Sequence, residues 1–509
     1  MKKIRYASFQ FLLNALFVII AFSMKPCFVL AQRDNNWCFG DSITINFSSG
    51  VPVVSPTCIS TSVEAAASIS GSSGQLLFYI GTESNGLIFA KIWDNNSMIL
   101  WNGDSVFLNA SITNGALIIP NSYDSSKYNV FSSLSFFGLH PHSLFTSTII
   151  MGMPSVVINK NSLVSTSPIA EKVSAVKHGN GKDWWIISHS LNADTFFVYL
   201  VDSIGIQLHS SQKIGFNYQN ITPPFIGMYG EISFSQQGDK LCCAGLGVLD
   251  LFDFNRCTGQ LSNYQDLITG PRFTALNDLY GVSFSPSGNY LYCSNWTQTF
   301  NCSLPPPCKS QLSQYDLNSS NIPASKTLLA DIDSTEFSFG QHQLAPDGKI
   351  YIARSKGIFP YFIKDSVNTT LSVIQNPDHP GTACNFQLNG FSLGNSKVNL
   401  GLPNSPNYNL GAWVGSPCDT LSVGIVSHTA TDFHLSPNPA HDKITISTSG
   451  DIHKVKLQLR NLQGQLLHQQ TEFTGRTFEF PLPPTLARGL YLLEILSEEE
   501  MVMKKVVVE

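Results

Sequence analysis

One pattern of apolar and polar positions recurs along the chain. Glu231-Ile-Ser-Phe-Ser runs into the turn Gln237-Gly-Asp and out through Lys240-Leu-Cys-Cys-Ala. Gly281-Val-Ser-Phe-Ser, Pro286-Ser-Gly-Asn and Tyr290-Leu-Tyr-Cys-Ser repeat it, as do Gln343-Leu-Ala, Pro346-Asp-Gly and Lys349-Ile-Tyr-Ile-Ala. Two apolar strands joined through a Gly-containing turn predict β-hairpins, because Gly supplies the left-handed backbone that a tight turn demands. Weaker copies lie at Ser68–Tyr79 and Ala175–Ile187. The turn glycines Gly74, Gly181, Gly238, Gly288 and Gly348 stand at intervals of 107, 57, 50 and 60 residues. Ser126–Phe131 falls near the middle of the longest gap.

A recurring unit of this length predicts propeller blades of four strands. Six marked units, plus one joining the first strand (Trp37 to Phe47) to the last segment (Cys384 to Trp413), give a ring of about seven blades. Closing the ring removes the exposed sheet edges on which an exported sheet protein would aggregate. Stacked β-sandwich domains are the alternative. From about residue 426 the pattern shortens. Lys443-Ile-Thr-Ile-Ser, Val455–Arg460, Thr477-Phe-Glu-Phe, Gly489–Leu496 and Met503–Glu509 alternate with period two. They predict five to seven short strands in a small immunoglobulin-like β-sandwich. The fold class is therefore all-β, with a signal segment at 1–31, a propeller at 32–420, a linker at 421–430 and the sandwich at 431–509.

The terminal module resembles the type A C-terminal sorting domain of the type IX secretion system. The resemblance rests on Ser436-Pro-Asn-Pro-Ala440, Ile444-Thr-Ile446, the turn Asn461-Leu-Gln-Gly464, Gly489-Leu-Tyr491 and Lys504-Lys505-Val-Val-Val. Pro437, Asn438, Pro439, Gly464, Gly489, Tyr491, Lys504 and Lys505 carry it. It implies passage through the periplasm and outer membrane by that machinery, removal of the domain at the surface, and release of the cargo or its attachment to a surface glycolipid. The central region resembles a family of β-propeller-like extracellular proteins that carry the same sorting domain. The matching runs are Asn36–Gly40, Gly74–Tyr79, Ala175–Ile187, Leu251–Gly259 and Asn376–Phe386. What such proteins bind is undefined.

Composition agrees with export. Charged residues make up only 13% of the 509, about half the usual share. Lys2, Lys3 and Arg5 precede an apolar run from Phe11 to Met24, and Val29-Leu30-Ala31 precedes Gln32. This order predicts a signal peptide cut between Ala31 and Gln32; the run is shorter than the roughly 20 residues of a spanning helix. Removing Lys2, Lys3, Arg5 and Lys25 from the 30 basic residues leaves 26 against 35 acidic ones, a formal charge of −9. No basic block remains to attract nucleic acid. Cys27 leaves with the signal, and ten of the 11 cysteines stay. Cys302 and Cys308, bracketing Ser-Leu-Pro-Pro-Pro, are the expected disulfide. Pairings among Cys242, Cys243, Cys257, Cys293, Cys384 and Cys418 cannot be read.

Candidate chemistry is sparse. His178 and Asp183, with Lys177, flank a turn beside Trp184 and Trp185, either as an acid/base or stacking cluster or as a blade hairpin with its tryptophans between sheets and its polar groups in water. No second carboxylate at a defined spacing supports glycoside chemistry. His140-Pro-His142 lacks a third metal ligand, and no calcium-loop, zinc-helix, phosphate-loop or nucleophile-elbow motif occurs, so no cofactor is expected. Trp101, in Trp101-Asn-Gly-Asp104, with His178, Asp183 and Trp184 completes the ligand-face candidates for an extracellular glycan or protein. The expectation is an exported propeller that binds or adheres; its rival is a propeller hydrolase or lyase acting on glycans.

Overall fold

The computed structural model describes residues 32–83, 88–136, 140–191, 193–219, 229–296, 309–333, 337–356, 366–419, 433–461, 465–496 and 501–509. The signal segment to Ala31, the Cys302–Cys308 loop and Gly464 lie outside the described residues. Contacts divide the chain into two units, residues 1–422 and 423–509. Among the described residues, no helix is long and apolar enough to cross a membrane.

The repeating hairpins open successive four-stranded antiparallel sheets. Gly238 and Gly288 have φ of +72° and +75°, a conformation that costs an L side chain energy and glycine little. In each turn the glycine N–H bonds a carbonyl three residues back, as Gly238 does to Ser235 and Gly288 to Ser285. Six such sheets follow in sequence, at 67–107, 116–163, 169–213, 232–266, 279–333 and 337–392, each with its strands in chain order. A seventh has three strands, Asn36–Phe39, Ile43–Asn46 and Val53–Ser55. We number this one blade one, and the others two to seven along the chain.

The apolar cores lie between the sheets and link them into a cycle. One cluster joins blades two, three and four around Phe78, Phe131 and Trp184. Trp185 and Phe252 join four to five; Leu251 and Phe284 join five to six; Tyr292 and Phe339 join six to seven. Tyr351 and Trp37 join seven to one, and Cys38 and Tyr79 join one to two. Seven sheets, each packed face to face on the next and the last on the first, make a seven-bladed β-propeller.

Closure uses less of the chain than expected. Cys384 ends a short 3-10 turn, and Phe386–Ser392 is the outer strand of blade seven. Only 397–402 completes blade one. Asp41 N–H bonds Lys397 O at 2.9 Å, Gln341 N–H bonds Leu400 O at 2.8 Å, and Leu400 N–H bonds Val63 O at 3.2 Å. Gly401 is required here, since a Cβ would stand 2.1 Å from Glu64 O.

The second unit is a set of five strands. The runs Lys443–Ser447 and Val455–Arg460, expected as separate strands, merge into Lys443–Arg460, and the Thr477–Phe480 run is the end of a longer strand, Leu466–Pro481. Their pairing shifts register at several points from Ser447 onward, and such bulges bend long strands so that they fold over one core. Alternate residues fill it: Ile444 and Ile446, Leu457 and Leu459, Phe478 and Phe480, Leu493 and Ile495, Val506 and Val508. The prolines of the opening motif frame Asn438, whose Nδ2 donates to Lys505 O (3.0 Å) and whose Oδ1 accepts from Val507 N–H (2.8 Å). This side chain clamps the last strand. Tyr491 Oη donates to Ala487 O at 2.6 Å, and Gly489 pairs with Val508.

Candidate functional site

Polar side chains fill the axis of the ring. Thr113, leading into blade three, places Oγ1 3.1 Å from Glu171 Oε2 of blade four and 3.3 Å from Tyr280 Oη of blade six. Glu231, at the start of blade five, accepts through one oxygen the N–H groups of Val282 (2.8 Å) and of His342 in blade seven (2.9 Å). Contacts between blades that are not neighbours are available only at the centre of a ring. Glu64, leading into blade two, belongs to the same cluster through Tyr280, Ser111 and the charge of Glu171.

These carboxyls are buried, with relative exposures of 5% for Glu64, 7% for Glu171 and 4% for Glu231. Burial disfavours the charged form. It pushes Glu231 up to about 8 against the pull of its two N–H bonds. It also raises Glu64 and Glu171, Glu64 further through the charge of Glu171. Burial lowers His342 to about 3, leaving a neutral imidazole. Lys172 is fully buried, donates to Tyr229 O, and is held below the usual lysine range by desolvation. Tyr229 Oη in turn donates to Asp278 Oδ1 at 2.6 Å.

A strap covers one end of this axis. Beyond blade one, residues 403–418 cross to the far blades. Asn404 Nδ2 donates to Val173 O at 2.9 Å, Asn407 Nδ2 to Gln236 O at 2.8 Å, and Tyr408 Oη to Ile118 O at 2.8 Å. Trp413 N–H bonds Gly179 O at 2.7 Å. A Cys257–Cys418 disulfide fixes the strap to blade five. Behind it lies a chamber of about 50 Å³ that Glu231, Asn114 and His342 line, room for about three or four waters. Ser283 Oγ, Ser405 Oγ and His342 Nδ1 are buried there without partners. Outside it opens a hollow of about 610 Å³, walled by the N-terminal segment 32–35, residues 47–50 of blade one and the hairpin turns of blades five, six and seven, and floored by strap residues 405–409. Its lining is neutral apart from Asp34, whose carboxyl burial pushes up to about 6.

The residues singled out in the sequence do not converge. Trp184 is 1% exposed, with Tyr408 edge-on at 6.0 Å and Lys177 Nζ 4.7 Å from the ring, so it offers no face to a ligand. Trp185 is equally buried and donates Nε1–H to Arg256 O at 2.7 Å. The turn polars do not face water as expected. His178 Nδ1 accepts from Asn180 N–H at 3.0 Å and its Nε2 lies 3.1 Å from Cys257 O. Asp183 accepts from Tyr123 Oη at 2.7 Å and Asn180 Nδ2 at 2.6 Å. Trp101 is 72% exposed, but on blade two, where its backbone bridges to Val156 and Val157 of blade three. His140 and His142 begin the strand His140–Ile150. Among the described residues, no three His, Cys, Asp or Glu side chains are grouped to hold a metal ion. The cysteines add a Cys38–Cys58 bridge, while Cys242, Cys243, Cys293 and Cys384 are buried thiols.

The axial carboxyls were missed, yet a signal exists. Glu64 and Glu171 each stand ten residues before a turn glycine, Gly74 and Gly181. Aligning the hairpins on those glycines superposes them.

Fold and site define the class: a seven-bladed propeller with a polar, strapped axis and a separate C-terminal β-domain. Residues 434–509 match the family of secretion system C-terminal sorting domains. A tail of this family is the mark of type IX export and implies delivery to the cell surface or secretion. No curated protein matches the sequence. Among solved structures, the propeller is similar to the periplasmic gluconolactonase of Pseudomonas aeruginosa (11% identity, TM-score 0.38, 82% of this chain and 99% of that one). It is also similar to a putative 6-phosphogluconolactonase of Bacteroides uniformis (14%, 0.39, 65% and 95%) and to the β-propeller domain of Myceliophteria thermophila Cps50 (9%, 0.33, 63% and 94%). Likeness at this level carries no activity across; the ring rests on this chain's own sheet pairing and cores.

Proposed function

We propose that the protein is a binding and adhesion module, secreted or displayed at the cell surface. A signal peptide cut between Ala31 and Gln32 delivers it to the periplasm, and the sorting domain takes it across the outer membrane, where the cargo is released or joined to a surface glycolipid. One observation carries the binding reading. The clustered groups with chemistry to offer, Glu64, Glu171, Glu231 and His342, are sealed in the axis, whereas the open hollow presents amides and hydroxyls with one carboxyl, Asp34, that has no second acid or base beside it. Neutral donors and acceptors in a concave site of this size recognise a ligand without transferring its protons.

A second reading, an enzyme acting on glycans, draws on Glu231 and His342 lining one chamber behind the strap. Incubating the purified mature protein with polysaccharides from the host's surroundings separates the two. Retention of polysaccharide or cell-surface material with no new reducing or unsaturated ends is the outcome expected of a binding module. Release of new ends at a rate that Glu231→Gln abolishes would establish the enzyme instead.

A further inference from the structure

We infer that the strap-side hollow is the ligand site and that its ligand is a neutral oligosaccharide. This rests on the binding reading above and names the class of molecule bound. The hollow's size, about 610 Å³, lies inside the range of small-ligand pockets. Its wall and floor carry the side chains of Gln236, Gln343, Asn407 and Asn409. Among the described residues, the side-chain amides of Gln236 and Asn409 have no hydrogen-bond partner in the protein. Each amide places a donor pair beside an acceptor, the complement of adjacent sugar hydroxyls. Ser405 contributes to the floor, but its Oγ is turned into the chamber behind the strap, so the amides carry the recognition.

What the hollow lacks narrows the class. No Lys or Arg side chain lines it; a cut before Gln32 leaves only the Gln32 α-amino group and the Asp34 carboxyl as charges, and the two offset each other, so phosphates and acidic sugars meet no net countercharge. Peptides are recognised through a free strand edge, an apolar groove for a helix, an aromatic groove for proline-rich segments, or an arginine cluster. The lining here is the N-terminal segment, turns and strap, and its one aromatic residue, Phe47, is buried against Trp37 and Tyr351. The strap also makes the floor a fixed surface, because the disulfide at Cys418 and the bonds of Asn404 and Asn407 hold it. Preorganised hydrogen-bonding groups spare a flexible, hydroxyl-rich ligand part of the ordering cost of binding.

The test titrates the mature protein calorimetrically with short neutral gluco-, manno- and galacto-oligosaccharides. Oligogalacturonate serves as the acidic comparator and a proline-rich peptide as the peptide comparator. At least one neutral series is expected to bind, with little or no binding of either comparator. The Gln236→Ala, Asn409→Ala double variant removes two unpartnered amides and no internal bond. It should weaken binding at least tenfold while its thermal midpoint stays that of the parent. Neutral sugar binding that the double variant leaves unchanged overturns the location, and binding of a comparator in place of neutral sugars overturns the class; both leave the binding reading standing. Cleavage of the oligosaccharides during titration overturns the binding reading itself.

Discussion

Glu231→Gln probes the axis most sharply, because the amide copies the protonated carboxyl. Its Oε1 can accept the Val282 and His342 N–H groups as Glu231 Oε2 does, and its Nε2 replaces the acid proton. The carboxyl is raised from 4.5 in a solvated chain to about 8 in the fold, chiefly by burial. Between those values the folded protein holds a proton that the unfolded chain has lost. The contribution of Glu231 is therefore fully present below pH 4.5 and lost as pH rises through 8. One pKa unit corresponds to about 1.4 kcal/mol, so the cost accumulated from pH 5 to pH 8 is on the order of 3 kcal/mol. Glutamine does not titrate and escapes it. Urea unfolding of the mature protein and of Glu231→Gln, at pH 5 and pH 8 and one ionic strength, measures the difference. Glu64 and Glu171 shift in the same direction, but they are present in both proteins and cancel. The parent should lose about 3 kcal/mol more than the variant. Equal losses would show that Glu231 is charged in the fold and that the axis is wetter than its burial implies.

Three further outcomes follow from the strap, the closure and the tail. Cys257→Ser should free the strap by about 2–4 kcal/mol of local stability, so that protease cuts within 403–418 before the blades; non-reducing peptide mapping that pairs Cys418 with a cysteine other than Cys257 would refute the latch. Gly401→Ala drives a Cβ to 2.1 Å from Glu64 O, and should cost about 3 kcal/mol or more, read as a lowered unfolding midpoint; an unchanged midpoint would mean that blade one closes elsewhere. Asn438→Ala deletes both clamps on the terminal strand, should destabilise the sorting domain by about 1–3 kcal/mol, and should raise the amount of protein held in the periplasm in cell fractions.

Much of the scaffold was legible because it is local. A Gly at a turn with apolar alternation on either side specifies a hairpin within a dozen residues, and Gly238, Gly288 and Gly348 each mark one. The tail was legible for the same reason, Asn438 and the terminal Lys504-Lys505 run standing in a fixed order. The axis was not, because its members come singly from six blades and meet only once the ring closes. Glu231 looks like the polar start of a strand, and nothing nearby announces His342, 111 residues on. The strap was hidden for a different reason. Residues 403–418 have no strand alternation, and their bonds run to Val173, Gln236 and Ile118, partners that sequence spacing cannot suggest. Cys257 and Cys418 are 161 residues apart, so their pairing is a property of the ring. Trp184 and Trp185 were ambiguous for a third reason, since an aromatic pair beside a turn reads alike whether it stacks on a ligand or, as here, seals two blades.

The central claim is that the tail is an export address on a self-sufficient propeller. Fractionating the native host, with the whole chain and with 434–509 deleted, tests it most directly when the N-termini are sequenced in each fraction. The whole chain should reach the surface or the medium beginning at Gln32, and the truncated chain should collect folded in the periplasm with the same N-terminus. Truncated protein outside the cell in the same proportion as the whole chain would contradict the account, as would whole chain in the cytoplasm still carrying residues 1–31.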